Sequence, residues 1–184
     1  MKVKGSTIMD LVRILRASKE KDFSQYLEPE DWDIINDQVM NTQWYPGDSY
    51  WRIAYAVSQV TGKNDMDNIY NFGRLAAQSR LKLYKRLLVP GDPAASLEKY
   101  NGFWEAFYDF EDKPFKRQQI ENNGNHIHIK AYDYPDMIIP EMRKIYFYGL
   151  AGAYQEVAEQ ALGKKVEANV TDKGDHFEMD YTWP

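Results

Sequence analysis

Between roughly Pro140 and Leu162 the chain carries Met142, Ile145, Phe147, Leu150, Ala153, Tyr154, Val157 and Ala161, with Gly163 as the stop. At helical spacing these apolar residues run nearly all the way round, so this long helix must be buried on more than one side. The segments around it say what can cover it. Downstream, Lys165 to Thr171 and His176 to Trp183 read as two strands joined by the hairpin signal Asp172-Lys173-Gly174-Asp175. Upstream, Phe115 to Glu121 and His126 to Tyr132 alternate about Asn122-Asn123-Gly124-Asn125, a strong hairpin turn. In the second of these strands Ile127, Ile129 and Ala131 face one side, and His126, His128 and Lys130 the other.

Before Lys113-Pro114 the apolar period is helical. Ser6 is placed to cap a helix with Ile8, Leu11, Val12 and Leu15 on one face. Pro29 opens a second, striped by Trp32, Ile35 and Val39. Trp44-Tyr45-Pro46-Gly47 reads as a turn, and Asp48 then caps a third helix ending at Gly62. A fourth runs from about Asp65 to Leu88, where Val89-Pro90-Gly91-Asp92-Pro93 breaks it. Asp92 caps and Pro93 opens a fifth that reaches Phe110. The expectation is one α+β domain over 1–184: a helical N-terminal lobe, 1–113, then a β-β-α-β-β unit, 114–184. That unit has an antiparallel sheet and one long buried helix.

Composition removes several functions. A net charge of −5 and a pI near 5.3 argue against a sequence-independent grip on nucleic acid phosphates. The absence of cysteine excludes disulfides, thiolate metal sites and thiol catalysis. No signal sequence and no run near the roughly 20 apolar residues of a membrane span occur, so a cytoplasmic location without a membrane partner is expected. No nucleophile elbow, Walker-type loop, His-Glu-x-x-His or dinucleotide fingerprint occurs, so no enzyme is expected.

The remaining candidates are weighed against plainer roles. His126 and His128 share a strand face, and His176 on the last strand is a third potential metal ligand. An exposed polar face explains the pair without a metal, and Lys130 beside them would repel a dication, so no metal is expected. Aromatics are plentiful, at 15% of residues, and Trp104, Tyr146 and Tyr154 combine flat rings with polar tips, beside the wholly apolar ring of Phe147. Such residues suit a cavity for a planar ligand, although aromatics at helical spacing more often build a core. Gly149 and Gly152 leave space beside Leu150 and Tyr154 on the long helix, either for a ligand or for another backbone. Arg74 could hold an anionic ligand group through a bidentate contact; solvent exposure or a carboxylate partner is its ordinary fate.

Several motifs occur in a familiar order: Val3-Lys4-Gly5-Ser6, Trp44-Tyr45-Pro46, Phe72-Gly73-Arg74, the stop at Gly163, Lys173-Gly174-Asp175 and a closing Phe177 to Trp183 strand. Together they resemble an uncharacterised family of bacterial paralogues first catalogued in myxobacteria. That family is similar to four-vinyl-reductase domains and to haem-nitric oxide/oxygen-binding domains. The resemblance implies a ligand-binding or sensory domain, its ligand held between the helical lobe and the sheet. The chain lacks the cysteines common around the final hairpin of the first relatives and the Tyr-x-Ser-x-Arg motif of the second. All three histidines fall on expected strands rather than on a helix, so haem of the proximal-histidine type is not carried over and no cofactor is expected. The expectation is therefore a non-enzymatic sensor of a small apolar or aromatic ligand, with Arg74, Trp104, Tyr146, Phe147, Gly149, Leu150, Gly152 and Tyr154 at its site. The alternative is a protein-interaction or homodimerisation module without a ligand. A tetrapyrrole- or metal-associated protein is a third, weaker reading.

Overall fold

The computed structural model describes residues 1–61, 65–110, 118–132 and 139–184, with the side chains of Thr61 and Trp104 left aside. The chain is α+β, built from six α-helices and two antiparallel sheets among the described residues. It forms two compact units that do not divide at 113/114. One comprises Met1–Asp65, Glu105–Phe115 and Pro135–Arg143; the other comprises Met66–Trp104, Lys116–Tyr134 and Lys144–Pro184. The fourth and fifth helices thus belong with the large sheet rather than with an N-terminal lobe. No described helix is long and apolar enough to cross a membrane.

In the first unit, β1 (Lys2–Lys4) is the middle strand of a small sheet ordered β2-β1-β3. Val3 pairs with Tyr45 of β2 (Trp44–Pro46) and with Tyr108 of β3 (Tyr108–Asp109), and all three side chains are buried. The expected turn at Trp44 is therefore a strand, and the expected fifth helix stops at Glu105 rather than Phe110. Both pairings are non-local, so helical periodicity carries no trace of them. α1 (Gly5–Ala17) buries Ile8, Val12 and Leu15 as its spacing requires. It begins at Gly5, with Lys4 rather than Ser6 at the N-cap, and glycine is needed there because a Cβ at residue 5 would run into the Met40 carbonyl. α2 (Pro29–Asn36) starts on a capping box: the Glu28 amide donates to Asp31 Oδ2 at 2.9 Å, and Glu28 accepts from the Asp31 backbone in return. Asp31, fully buried, also accepts from Arg52 Nε at 2.6 Å and Nη2 at 2.9 Å, tying α2 to α3 (Gly47–Thr61). The Gly62 stop expected for α3 lies outside the described residues.

The second unit has three layers. Its sheet is ordered β4-β5-β7-β6: β4 (Gln118–Asn122), β5 (His126–Tyr132), β7 (His176–Thr182) and β6 (Glu167–Asp172). The alternation reads through directly. Ile127, Ile129 and Ala131 of β5 stand opposite Tyr181, Met179 and Phe177 of β7, and all six are completely buried. The hairpins turn at Gly124 (φ 73°) and Gly174 (φ 93°), a backbone region that favours glycine. Of the strand expected over Phe115 to Glu121, residues 115–117 lie outside the described residues. α6 (Pro140–Leu162) covers the sheet's inner face: Phe147 stacks on Phe177 at 4.6 Å, and the Tyr181 hydroxyl donates to the Ala151 carbonyl at 3.0 Å. On its other side α6 meets α4 (Met66–Leu83) and α5 (Pro93–Glu105), which explains its apolar circumference. α4 ends at Leu83, and Lys85–Leu87 forms a 3-10 turn instead of continuing the helix to Leu88.

Candidate functional site

Set among aromatics of the second unit is a closed ring of three neutral polar side chains, of which Tyr154 is fully buried and Asn101 and Gln118 are half-buried. Tyr154, on α6, donates its hydroxyl proton to Asn101 Oδ1 on α5 and accepts from Gln118 Nε2 on β4. Asn101 Nδ2 donates to Gln118 Oε1 at 2.5 Å, which completes the circuit. Tyr100 packs edge-on against Tyr154 at 6.3 Å, and its hydroxyl accepts from Arg80 Nη1 at 3.3 Å. Phe103, packed on the same core, lies 4.8 Å from Tyr84. Few polar groups converging within an aromatic surround make a surface suited to orient a small ligand. Each of the three side chains has a partner within the ring, so a ligand that displaces one must replace its hydrogen bond.

Tyr154 is the expected site residue that joins this ring; Asn101 and Gln118 are additions. Gln118 was within reach of the sequence, because the hairpin register sets it opposite core-facing Ala131 and hence inward. Asn101 carried only the weak signal of an amide in a helix interior, next to the buried Tyr100. Trp104 follows on α5, and its side chain lies outside the described residues. Phe147 belongs to the core stack on Phe177, and Tyr146 and Leu150 are half-buried against the same core.

Arg74 is paired with carboxylates, the ordinary alternative weighed for it. Its Nη2 contacts Glu156 Oε2 at 2.9 Å and also Glu159, while Nη1 donates to Gln155 Oε1 at 2.9 Å. Burial disfavours its charge, but the two glutamates outweigh that and leave its pKa raised. Tyr70 donates to Gln155 Oε1 at 3.0 Å, and burial pushes its hydroxyl up to about 12. Glu159 Oε1 accepts from the Val166 amide at 3.2 Å, so this charged knot fastens α4 and α6 to the segment entering β6.

The glycines of α6 serve the same crossing. A Cβ on Gly152 would run into the Tyr70 carbonyl, and one on Gly73 into the carbonyl of Gly149. The backbones of α4 and α6 therefore meet where side chains are missing, and the volume beside Gly152 is filled by a helix rather than open to a ligand. Gly149 differs, since a Cβ there would only touch Ile69 Cγ2 at 3.8 Å.

The histidines lie on the sheet's outer face. His126 Nε2 and His128 Nδ1 sit 2.9 and 2.8 Å from the same Asp180 oxygen. Burial would raise Asp180's pKa, but the hydrogen bonds from His128 and His126 win and hold it below the ordinary carboxylate value. His176 does not join them. It stands opposite Tyr132, four residues along β7 from Asp180, or roughly 13 Å of strand. Its ring nitrogens meet Asp175 at 2.7 Å and Glu178 at 3.4 Å. No group of three histidines or acids fit to hold a metal occurs among the described residues.

No family model matches the chain, and neither does any curated protein. Solved structures do match, and H-NOX proteins are among them. One from T. tengcongensis overlays with a TM-score of 0.65 at 11% identity, covering 97% of this chain and 96% of that one. A Cs H-NOX variant gives 0.63 at 14% identity, covering 97% and 95%. An Fe(II) unliganded H-NOX protein of K. algicida gives 0.59 at 12%, again covering 97% and 95%. At such identities the likeness establishes the fold, and it does so along nearly the whole chain.

Some of these neighbours are studied for the distortion of their haem. The side chains here do not fit a haem held by an axial histidine. All three histidines are on strands and bonded to carboxylates on the outer face, and the chain has no cysteine. Tyr181 on the core face is fully buried, and burial pushes its hydroxyl well above 10, which keeps it a neutral donor to Ala151.

Proposed function

We propose that the chain is a non-enzymatic, small-molecule-binding sensor domain on an H-NOX-like fold, with an apolar or aromatic ligand in place of haem. The observation that carries this reading is the Asn101–Gln118–Tyr154 ring set among aromatic residues in a fold whose neighbours are H-NOX proteins. A ligand bearing one neutral hydrogen-bonding group would exchange with this ring, which links a helix, the long helix and a sheet edge. Opening it would loosen α5 from β4 and so convert binding into a change of position. The ring is uncharged, so its favoured ligands are neutral. The short motifs of the sequence support kinship with the bacterial paralogous family and the four-vinyl-reductase domain, and the lack of a membrane-crossing helix among the described residues accords with a cytoplasmic setting.

The test is a thermal-shift screen of the full chain against neutral lipids and phenols, with aromatic acids as charged controls, repeated on Tyr154→Phe, with a haem titration alongside. A ligand that raises the melting temperature of the parent and does so far less in Tyr154→Phe supports the reading. A stoichiometric Soret band on haem addition, or shifts identical in parent and variant, would overturn it.

A further inference from the structure

Phe72, Leu75 and Leu83 are among the most exposed large apolar residues described, at 56%, 61% and 78%, and all three are on α4. With exposed Ser79 they are spaced three, four and four residues apart, so at about 100° per residue they form one stripe. This is a packing seam on the side of α4 away from Gly73, which faces α6. We propose that the seam is covered by α4 of a second copy of this chain, running antiparallel about a two-fold axis near Leu75 and Ala76.

Two features of the helix select that occupant. The first is charge. α4 carries Asp67 in its first turn and Arg80 and Lys82 in its last, followed by Lys85 and Arg86. Asp67 and Lys82 lie about 60° apart around the helix, on one flank of the seam. Antiparallel pairing about the stated axis brings Asp67 of each copy toward Lys82 of the other and opposes the helix dipoles. Parallel pairing would stack like charges at both ends. The second feature is size. The same axis sets the bulky Phe72 of one copy against the small Ser79 of the other, twice, with the Leu75 residues meeting at the centre. A partner of unrelated sequence has no reason to match both patterns, whereas a two-fold copy does so by symmetry.

The chain contains no cysteine, so introduced thiols report cleanly. The experiment is sedimentation velocity of the full chain over a concentration series, with a short thiol-to-thiol cross-linker applied to single-cysteine variants. The expected result is a monomer–dimer equilibrium weakened about tenfold or more by Leu75→Glu, with an unchanged circular dichroism spectrum. Leu75→Cys should cross-link to itself. Asn68→Cys and Leu83→Cys should each fail to do so alone and should cross-link when mixed. A monomer at every concentration, a dimer indifferent to Leu75→Glu, or self-linking of Leu83→Cys would overturn the proposal.

Discussion

Two polar clusters touch α6 within the second unit, and they differ in charge and in what they could give up. The Arg74 knot is ionic: one guanidinium faces two glutamates, with Gln155 and Tyr70 filling the remaining positions. The Tyr154 ring is neutral and is made of two amides and a phenol. Removing a partner from the first leaves half-buried charge behind, so it can only hold. Opening the second leaves dipoles that a ligand can satisfy. A cluster suited to structure and a cluster suited to exchange thus sit on the same helix, and the arginine that most suggests a ligand anchor in the sequence belongs to the first.

The comparison is broken most forcefully at the glycines that bring α4 to the knot. Gly152→Leu should destabilise the protein by about 3 kcal/mol or more, or prevent folding, because its Cβ meets the rigid Tyr70 carbonyl. Gly149→Ala, three residues earlier, should instead be neutral or stabilising by up to about 1 kcal/mol, since its Cβ would meet Ile69 only at ordinary contact distance, 3.8 Å. Urea denaturation midpoints of the two variants decide the matter. Similar losses in both would mean that helix propensity, and not the crossing, governs this stretch.

Next in size is Arg74→Met. It should cost about 2–3 kcal/mol, below the range for breaking a fully buried pair, because Arg74 is partly exposed to screening solvent. Adding Glu156→Gln should recover part of that loss, which a purely steric role for the arginine would not allow. Smaller still is the effect at the ring, where Tyr154→Phe should cost about 1–2 kcal/mol in chemical denaturation.

The last effect is confined to alkaline pH. Unfolded tyrosine ionises near 10, while Tyr70 keeps its proton in the folded state to about 12. Between those values the unfolded chain binds fewer protons, so the Tyr70 contribution is whole below about 10 and fades as pH rises toward 12. Tyr70→Phe should therefore flatten the alkaline limb of the stability profile. An unchanged limb would show that burial does not hold the proton on this hydroxyl.

Much of this was legible in the chain. The period of α6 called for cover on two sides, and the hairpin alternation separated Ile127, Ile129 and Ala131 from His126 and His128. What the sequence concealed is what depends on distant partners. Tyr45 and Tyr108 become strand residues only because Val3 lies between them. Arg74 is neutralised by glutamates more than eighty positions away, and His128 finds Asp180 rather than His176 because strand register, not residue type, sets neighbours. The ring lies between these cases: the inward face of Gln118 follows from the turn, but its meeting with Asn101 and Tyr154 does not.

The central claim is that Tyr154 anchors a neutral ligand in an H-NOX-like fold. The most direct measurement is native mass spectrometry of the purified full chain and of Tyr154→Phe, each incubated with the neutral aromatic compound that gives the largest thermal shift. The account predicts a one-to-one adduct on the parent that is lost or sharply reduced in the variant. Equal adducts on both proteins, or a parent that carries haem in preference to that compound, would contradict it.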